Sequence, residues 1–234
     1  MKKNSIGIYL MAITLLLSAN NSFAQHKEER NVSKFSGIDL GVAANLIVRQ
    51  ETPQKVVLSG DENVLELIKT EVEGDKLRIY RKDWGMGFTR RIDIYISVAD
   101  INELNVSGSG NIEAETPIKT NELEMNISGS GDIIIDDLSA DQIEAKISGS
   151  GNLFLNGNET IQGFELKISG SGELKAEKLP VNSYEIKVSG SGSALVNAID
   201  KLEARISGSG KVLYYGSPKI DAEISGSGKV ASID

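Results

Sequence analysis

Apolar and polar residues alternate along most of this chain, and one alternating segment recurs at intervals of about 20 residues. Every copy of the segment contains the tetrapeptide Ser-Gly-Ser-Gly, and the seven copies begin at Ser107, Ser128, Ser148, Ser169, Ser189, Ser207 and Ser225. Successive copies are 21, 20, 21, 20, 18 and 18 residues apart. Period-two alternation indicates strands with one buried face, and a repeat of this length indicates one unit copied along an axis.

The apolar residues keep the same parity in every copy, so each copy is expected to bury the same face. In the second copy the inward set is Leu123, Met125, Ile127, Gly129, Gly131, Ile133 and Ile135. Both motif glycines are therefore predicted to face inward and both serines outward. Because a unit of two short strands cannot bury its own apolar face, the units are expected to stack. The pattern predicts an all-β, single-stranded parallel β-helix, right-handed, with an antiparallel hairpin sandwich as the alternative.

Stacking arranges the outward residues into columns along the axis. An acid stands four residues before every motif, at Glu103, Glu124, Glu144, Glu165, Glu185, Glu203 and Asp221. Two residues later the chain carries Asn105, Asn126, Lys146, Lys167, Lys187, Arg205 and Glu223. We expect a solvated face on which the cations offset the stacked carboxylates. Calcium bridging between turns is the alternative, although the nonapeptide of calcium-binding β-rolls is absent. The outward serines are interpreted as a tight polar wall, or alternatively as a ligand-binding face.

The region before the repeats is less regular and is predicted to cap the β-helix. Alternation from Ile38 to Val48 indicates a degenerate first turn, and Asp61 is a plausible N-cap for a short helix. The runs Lys76–Arg81 and Arg91–Val98 are predicted to form a hairpin with a glycine-rich tip. Residues 34–100 are expected to form this cap and residues 101–234 the repeats, as one continuous domain.

The hairpin tip is the least repetitive part of the chain and therefore the most site-like. It contains the only tryptophan and several cations, and its candidate ligand-binding residues are Trp84, Phe88, Arg90 and Arg91. An aromatic side chain with neighbouring cations on a loop is suited to a sugar or an acidic partner. The alternative is that Trp84 packs back on the cap.

The first 24 residues are typical of a secretory signal peptide. Two lysines precede an apolar stretch from Ile8 to Leu17, and Ser22-Phe23-Ala24 resembles a cleavage site. Residues 25–33 are expected to be a flexible mature N-terminus. No later apolar run approaches the length of a membrane span, so the mature chain is expected to have none. The expected location is the periplasm, the outer-membrane surface or the extracellular medium.

Composition excludes several classes of function. The chain has no cysteine, and its one histidine, His26, lies near the expected mature N-terminus. We therefore expect no catalytic residues, no metal site and no cofactor. From residue 25 onward, 23 Lys and Arg stand against 33 Asp and Glu, a formal charge of −10. An acidic chain without a basic stripe is not expected to bind nucleic acid.

Three stretches together carry a resemblance to a known family. They are the opening Phe35-Ser36-Gly37-Ile38, a strand from Val72 to Ile79 with Gly74, and the repeated Val/Ile-Ser-Gly-Ser-Gly-x-Ile/Leu. The chain resembles the family known as the "putative auto-transporter adhesin head GIN domain" of exported Bacteroidetes proteins, a domain of unknown function. The resemblance implies a β-helical, bactofilin-like fold and brings no catalytic residues.

These observations favour a non-catalytic, exported, adhesin-like binding module for a glycan or a cell-surface protein. The serine wall or the hairpin tip is the expected contact. A structural protein that assembles end to end is the alternative, because the last turn (Ile220 to Val230) has no evident cap and a homo-oligomer is then expected. A polysaccharide-active β-helix enzyme is a weaker alternative.

Overall fold

The computed structural model describes residues 26–82 and 92–233, and they form a β-solenoid. The N-terminal part contains the elements β1 (His26–Glu29), β2 (Gly37–Leu40), β3 (Asn45–Gln50), β4 (Lys55–Gly60), α1 (Glu62–Leu65), β5 (Ile68–Glu73), β6 (Lys76–Arg81) and β7 (Asp93–Val98). The all-β, β-helical prediction is confirmed, because neighbouring repeats pair as parallel strands rather than as antiparallel hairpins.

The repeats contribute fourteen further strands. They are β8 (Glu103–Gly108), β9 (Asn111–Ala114), β10 (Ile118–Lys119), β11 (Glu122–Gly129), β12 (Asp132–Ile135), β13 (Leu138–Ser139), β14 (Gln142–Gly149), β15 (Asn152–Leu155), β16 (Ile161–Gly170), β17 (Glu173–Gly190), β18 (Ser193–Gly208), β19 (Lys211–Tyr215), β20 (Lys219–Gly226) and β21 (Lys229–Ser232).

Two parallel walls run the length of the repeats. The first wall is made by the strands that lead into each motif, namely β8, β11, β14, β16, the second halves of β17 and β18, and β20. The second wall is made by the strands that follow each motif, namely β9, β12, β15, the first parts of β17 and β18, β19 and β21. Each motif therefore lies where the chain passes from the first wall to the second, a line that we name the motif corner.

The two glycines of each motif have different positions, which corrects the prediction that both face inward. The first glycine forms the bend, with φ between 104° and 132° in all seven copies, and is partly or fully exposed. The second is buried in the first six copies and partly exposed in the last, at Gly228. A Cβ on Gly129 would collide with the carbonyl oxygen of Gly108, and one on Gly131 with that of Gly110. Left-handed backbone and close stacking of turns explain why glycine stands at both positions.

The solenoid does not begin in simple sequence order. The turn formed by β2 and β3 lies between two later turns, because β2 pairs in parallel with both β6 and β8. In the same way, β3 pairs in parallel with both β7 and β9. The predicted degenerate first turn is therefore present, but the chain leaves it, builds the turn below, and then returns to build the turn above.

The predicted hairpin between Lys76–Arg81 and Arg91–Val98 is wrong. Strand β6 pairs with β5 in antiparallel fashion, and the hairpin turns at Gly74, which has φ 66°. The stretch from Val72 to Ile79 is consequently two strands and not one. Strand β7 instead pairs with β3 and, in antiparallel fashion, with β4.

Antiparallel strands and one helical turn close this end of the solenoid. The Asp61 carboxylate accepts a hydrogen bond from the Asn63 backbone N–H, which confirms the predicted N-cap of helix α1. Leu65 of this helix is fully buried. Strand β1 pairs with β4, which places His26–Glu29 in the sheet, within the segment expected to be flexible.

Candidate functional site

The first wall presents the charged columns that the sequence predicts. Every acid of the column lies beside the acid of the next turn, from Glu103 through Glu124 and Glu144 to Asp221. The residues two places later are aligned in the same register. Neighbouring rungs of a sheet are about 4.8 Å apart, so the carboxylates form a regular row.

Ion pairs within the middle turns neutralise much of this row, at Glu144, Glu165, Glu185 and Glu203. The Lys146 ammonium lies 2.8 Å from the Glu144 carboxylate, and Lys167 lies 2.6 Å from Glu165. The hydrogen bond from Lys146 lowers the pKa of Glu144 and raises the pKa of Lys146 itself. The Glu144 carboxylate therefore stays ionised and paired with Lys146. Within residues 26–82 and 92–233, no group of three Asp, Glu or His side chains is placed to hold a metal ion.

The motif corner presents the serines as two exposed columns. The backbone N–H of Ser130 donates to the carbonyl oxygen of Gly108 one turn below, at 2.8 Å, and the same bond recurs in later turns. Among the described residues no hydrogen bond joins one motif serine hydroxyl to another. The hydroxyls are thus left to solvent or to a ligand, and the backbone alone ties the turns together at the corner.

The four residues predicted to bind ligand, Trp84, Phe88, Arg90 and Arg91, lie outside the described residues. The residues that flank them are nevertheless placed. Asn45 N–H donates to the Ile92 carbonyl at 3.0 Å, and Asn111 N–H donates to the Ala44 carbonyl at 2.9 Å. Ile92 therefore lies two turns below the first motif, on the line of the motif corner.

A shallow depression lies at the same end of the motif corner. It encloses about 350 Å³ and is lined by Ala43, Ala44, Asn45 and Ser109. Small side chains and one amide leave its floor open. The lower end of the serine columns and this depression therefore form one contiguous area.

The second wall carries a feature that the sequence reasoning missed. An outward column three residues after each motif is mostly apolar and holds Ile134, Phe154, Leu195, Leu213 and Ala231, with Glu113 and Lys175 as interruptions. Ile47 and Tyr95 extend it downward. These residues have the outward parity, so their shared apolar character is visible in the sequence only when the copies are aligned at outward positions.

Amides and acids flank the apolar column. The Asp132 carboxylate accepts hydrogen bonds from the backbone and the side-chain amide of Asn152, both at 2.9 Å. The Lys175 ammonium lies 5.3 Å from the centre of the Phe154 ring. The second wall is thus a flat strip with an apolar centre and a polar margin.

The architecture defines a class: a β-solenoid whose outward columns form extended surfaces. A family of that class matches residues 34–218 and is described as "Putative auto-transporter adhesin, head GIN domain". The chain belongs to this family, as its motifs indicated. Among curated proteins, the chain has no match.

Solved structures with the same fold come from Bacteroides and Parabacteroides species. A "putative adhesin" from Bacteroides fragilis is 26% identical with a TM-score of 0.84, and the match covers 89% of this chain and 97% of that one. A "putative lipid binding protein" from Parabacteroides distasonis is 28% identical with a TM-score of 0.74, covering 90% and 97%. A "putative adhesin" from Parabacteroides merdae, 22% identical with a TM-score of 0.70, covers 90% and 96% and shows the fold alone.

The family and these neighbours are consistent with an adhesin-like protein rather than an enzyme. Within the described residues, no helix is both long and apolar enough to cross a lipid bilayer.

Proposed function

We propose that this protein is an exported, non-catalytic binding module for a glycan or a cell-surface protein. The observation that carries the proposal is the contiguous area at the lower end of the motif corner. There, exposed serine hydroxyls adjoin the depression lined by Ala43, Ala44 and Asn45. Such a surface offers many hydrogen-bonding groups in a fixed array, and no deep cleft is needed. The adhesin descriptions of the family and of its relatives support a binding role.

The proposed contact residues are those that the sequence singled out, Trp84, Phe88, Arg90 and Arg91. The segment that carries them rejoins the solenoid at Ile92, beside this area. An aromatic ring covers the apolar face of a sugar, and guanidinium groups bind its oxygens or an acidic protein. The tip and the serines would then contact one ligand together.

A glycan array probed with the mature protein tests the proposal. Trp84→Ala is expected to lose most of the signal, and Ser109→Ala to weaken it. The matched control is Ser227→Ala, which alters a serine of the same kind at the opposite end of the motif corner. Equal signals from the wild type and Trp84→Ala would remove the tip from the contact. Binding to neither glycans nor intact cells would contradict the function itself.

The apolar column of the second wall favours a second candidate, an apolar ligand such as a lipid. The relative from Parabacteroides distasonis, which is described as lipid binding, supports it. Phosphatidylcholine vesicles are the probe, and Phe154→Asp is expected to reduce co-sedimentation while Trp84→Ala leaves it unchanged. No co-sedimentation of the wild type would exclude this candidate.

A further inference from the structure

The last turn of the solenoid leaves core positions uncovered. Ile220 and Ile224 of β20 are 47% and 42% exposed. The residues at the same register one turn earlier, Leu202 and Ile206, are at most 2% exposed. The sequence continues the inward alternation in β20, yet nothing in the described part of the chain lies over it.

The backbone of the last turn is also paired on one side only. Strand β20 pairs with β18, and β21 pairs with β19. Within residues 26–82 and 92–233, no strand pairs with their outer edges. An edge strand with alternating apolar residues is a template for strand addition. This edge therefore offers backbone donors, backbone acceptors and an apolar floor together.

The opposite end of the solenoid is not a suitable partner. Its outermost strands, β1 and β5, are rich in charge, with Lys27, Glu28 and Glu29 in one and Lys69, Glu71 and Glu73 in the other. Charged edge strands oppose strand addition. A head-to-tail filament would need this charged edge to cover the apolar floor of β20.

We propose that two copies of the protein associate tail to tail, with β20 of one copy paired antiparallel to β20 of the other. The interface is isologous, since both copies contribute the same surface, and it closes at a dimer. Each copy then supplies the apolar cover that the other lacks. This inference does not depend on the proposed ligand-binding function.

Side-chain parity and charge select one register. The inward faces of the two copies lie on the same side of the joined sheet only if the sequence numbers of any two opposed residues sum to an even number. The register centred on Asp221 sets Lys219 of each copy opposite Glu223 of the other, which gives two attractive pairs. The register centred on Ala222 would set Asp221 opposite Glu223 twice, and two repulsive pairs oppose it. The preferred register leaves one repulsive contact, between the two Asp221 side chains on the symmetry axis.

Sedimentation of the mature protein across a concentration series tests the association. The wild type is expected to approach a dimer and to stop there. Ile224→Lys is expected to weaken the dimer at least about tenfold, because it places an unpaired charge in the apolar interface. The matched control is Ile199→Lys, an isoleucine that is 39% exposed but belongs to the preceding turn. The control is expected to dimerise like the wild type.

Charge exchange tests the register without touching the apolar residues. Lys219→Glu and Glu223→Lys are each expected to be monomeric alone, and the two variants mixed in equal amounts are expected to form a heterodimer. Asp221→Asn is expected to tighten the wild-type dimer. A strictly monomeric wild type at the highest concentration, or species that keep growing without a plateau, would overturn the proposal. Equal weakening by Ile199→Lys and Ile224→Lys, or no heterodimer in the mixture, would do the same.

Discussion

The two ends of the solenoid differ in how the stack is terminated. At the N-terminal end, antiparallel strands and helix α1 cover the core, and Leu65 is fully buried. At the C-terminal end, β20 and β21 continue the parallel register, no described residue covers them, and Ile220 is 47% exposed. Apolar alternation is present at both ends. Alternation therefore builds a turn, but a change of strand direction and a helix are what close the stack.

The largest expected effect comes from placing a charge in each end. Leu65→Asp is expected to lower the free energy of unfolding by about 3–5 kcal/mol, because the carboxylate is buried without a partner. Ile220→Asp is expected to cost less than about 1 kcal/mol, because its side chain already meets solvent. Urea unfolding at a concentration where the protein is monomeric measures both. Similar losses from the two variants would show that the ends are equally closed.

Motif glycines allow the middle of the rod to be compared with its last turn. Gly131→Ala is expected to destabilise by about 2–4 kcal/mol, because a Cβ there collides with the backbone of the turn below. Gly228→Ala is expected to cost about half as much or less, since no turn of the described chain lies above it and its Cβ meets the Gly210 oxygen at 3.0 Å and an Ile206 methyl at 2.5 Å. Thermal unfolding of both variants provides the comparison. An equal loss would mean that the last turn is as rigid as the middle.

A buried hydroxyl in the middle of the solenoid allows the stability of the core to be tested separately from that of the two ends. Tyr184 stacks on Phe164 with ring centres 5.3 Å apart, and its hydroxyl has no hydrogen-bond partner among the residues that the structure describes. Burial raises the pKa of this phenol, so it remains neutral. Tyr184→Phe is expected to stabilise the protein by about 1 kcal/mol. Hydrogen exchange should slow in β16 and β17 and stay unchanged in β20. Destabilisation would indicate a partner for the hydroxyl.

The smallest expected effect is the pH dependence of the charged columns. Because the pKa of Glu144 is lowered in the folded state, its pairing stabilises the protein above the unfolded pKa of about 4.3. That contribution is lost as the pH falls through the lower, folded pKa. The pair is exposed, so less than about 1 kcal/mol is expected. Glu144→Gln should reduce the loss of thermal stability between pH 6 and pH 3. The difference should shrink as the salt concentration is raised, because salt screens exposed charges.

In the same pH series, Glu223→Gln is the control from the last turn. Its carboxylate is 82% exposed and lies 3.8 Å from Arg205, so little change is expected. A larger effect at Glu223 than at Glu144 would contradict the view that charges are paired in the middle turns and largely solvated in the last turn.

The sequence predicts the middle of the solenoid well because every copy repeats the same information. The stacked acids, the cations beside them and the outward serines all follow from spacing and parity. The bend at the first motif glycine does not follow, since alternation cannot distinguish an inward glycine from a left-handed one. Nor can spacing reveal that β6 pairs with β5 and β2, because partner choice in the cap is set once and is not repeated.

The candidate site likewise contains residues that the repeats predict and residues whose positions depend on the cap. Serine positions were predictable from repetition, whereas the depression at Ala43, Ala44 and Asn45 depends on how the cap turns meet the first repeat. The apolar column of the second wall was visible in principle. It required the copies to be compared at outward positions as well as at inward ones.

The interleaved start of the solenoid gives its assembly a direction. Strands β2 and β3 gain their first parallel neighbours from the turn below, with β6 and β7, and are paired on both sides only once the chain has supplied the turn above, with β8 and β9. Each later repeat needs only the one made just before it. A chain that emerges N-terminus first must therefore complete one long-range closure. Once this closure is complete, each later turn pairs with the turn formed just before it, at a sequence separation of about 20 residues.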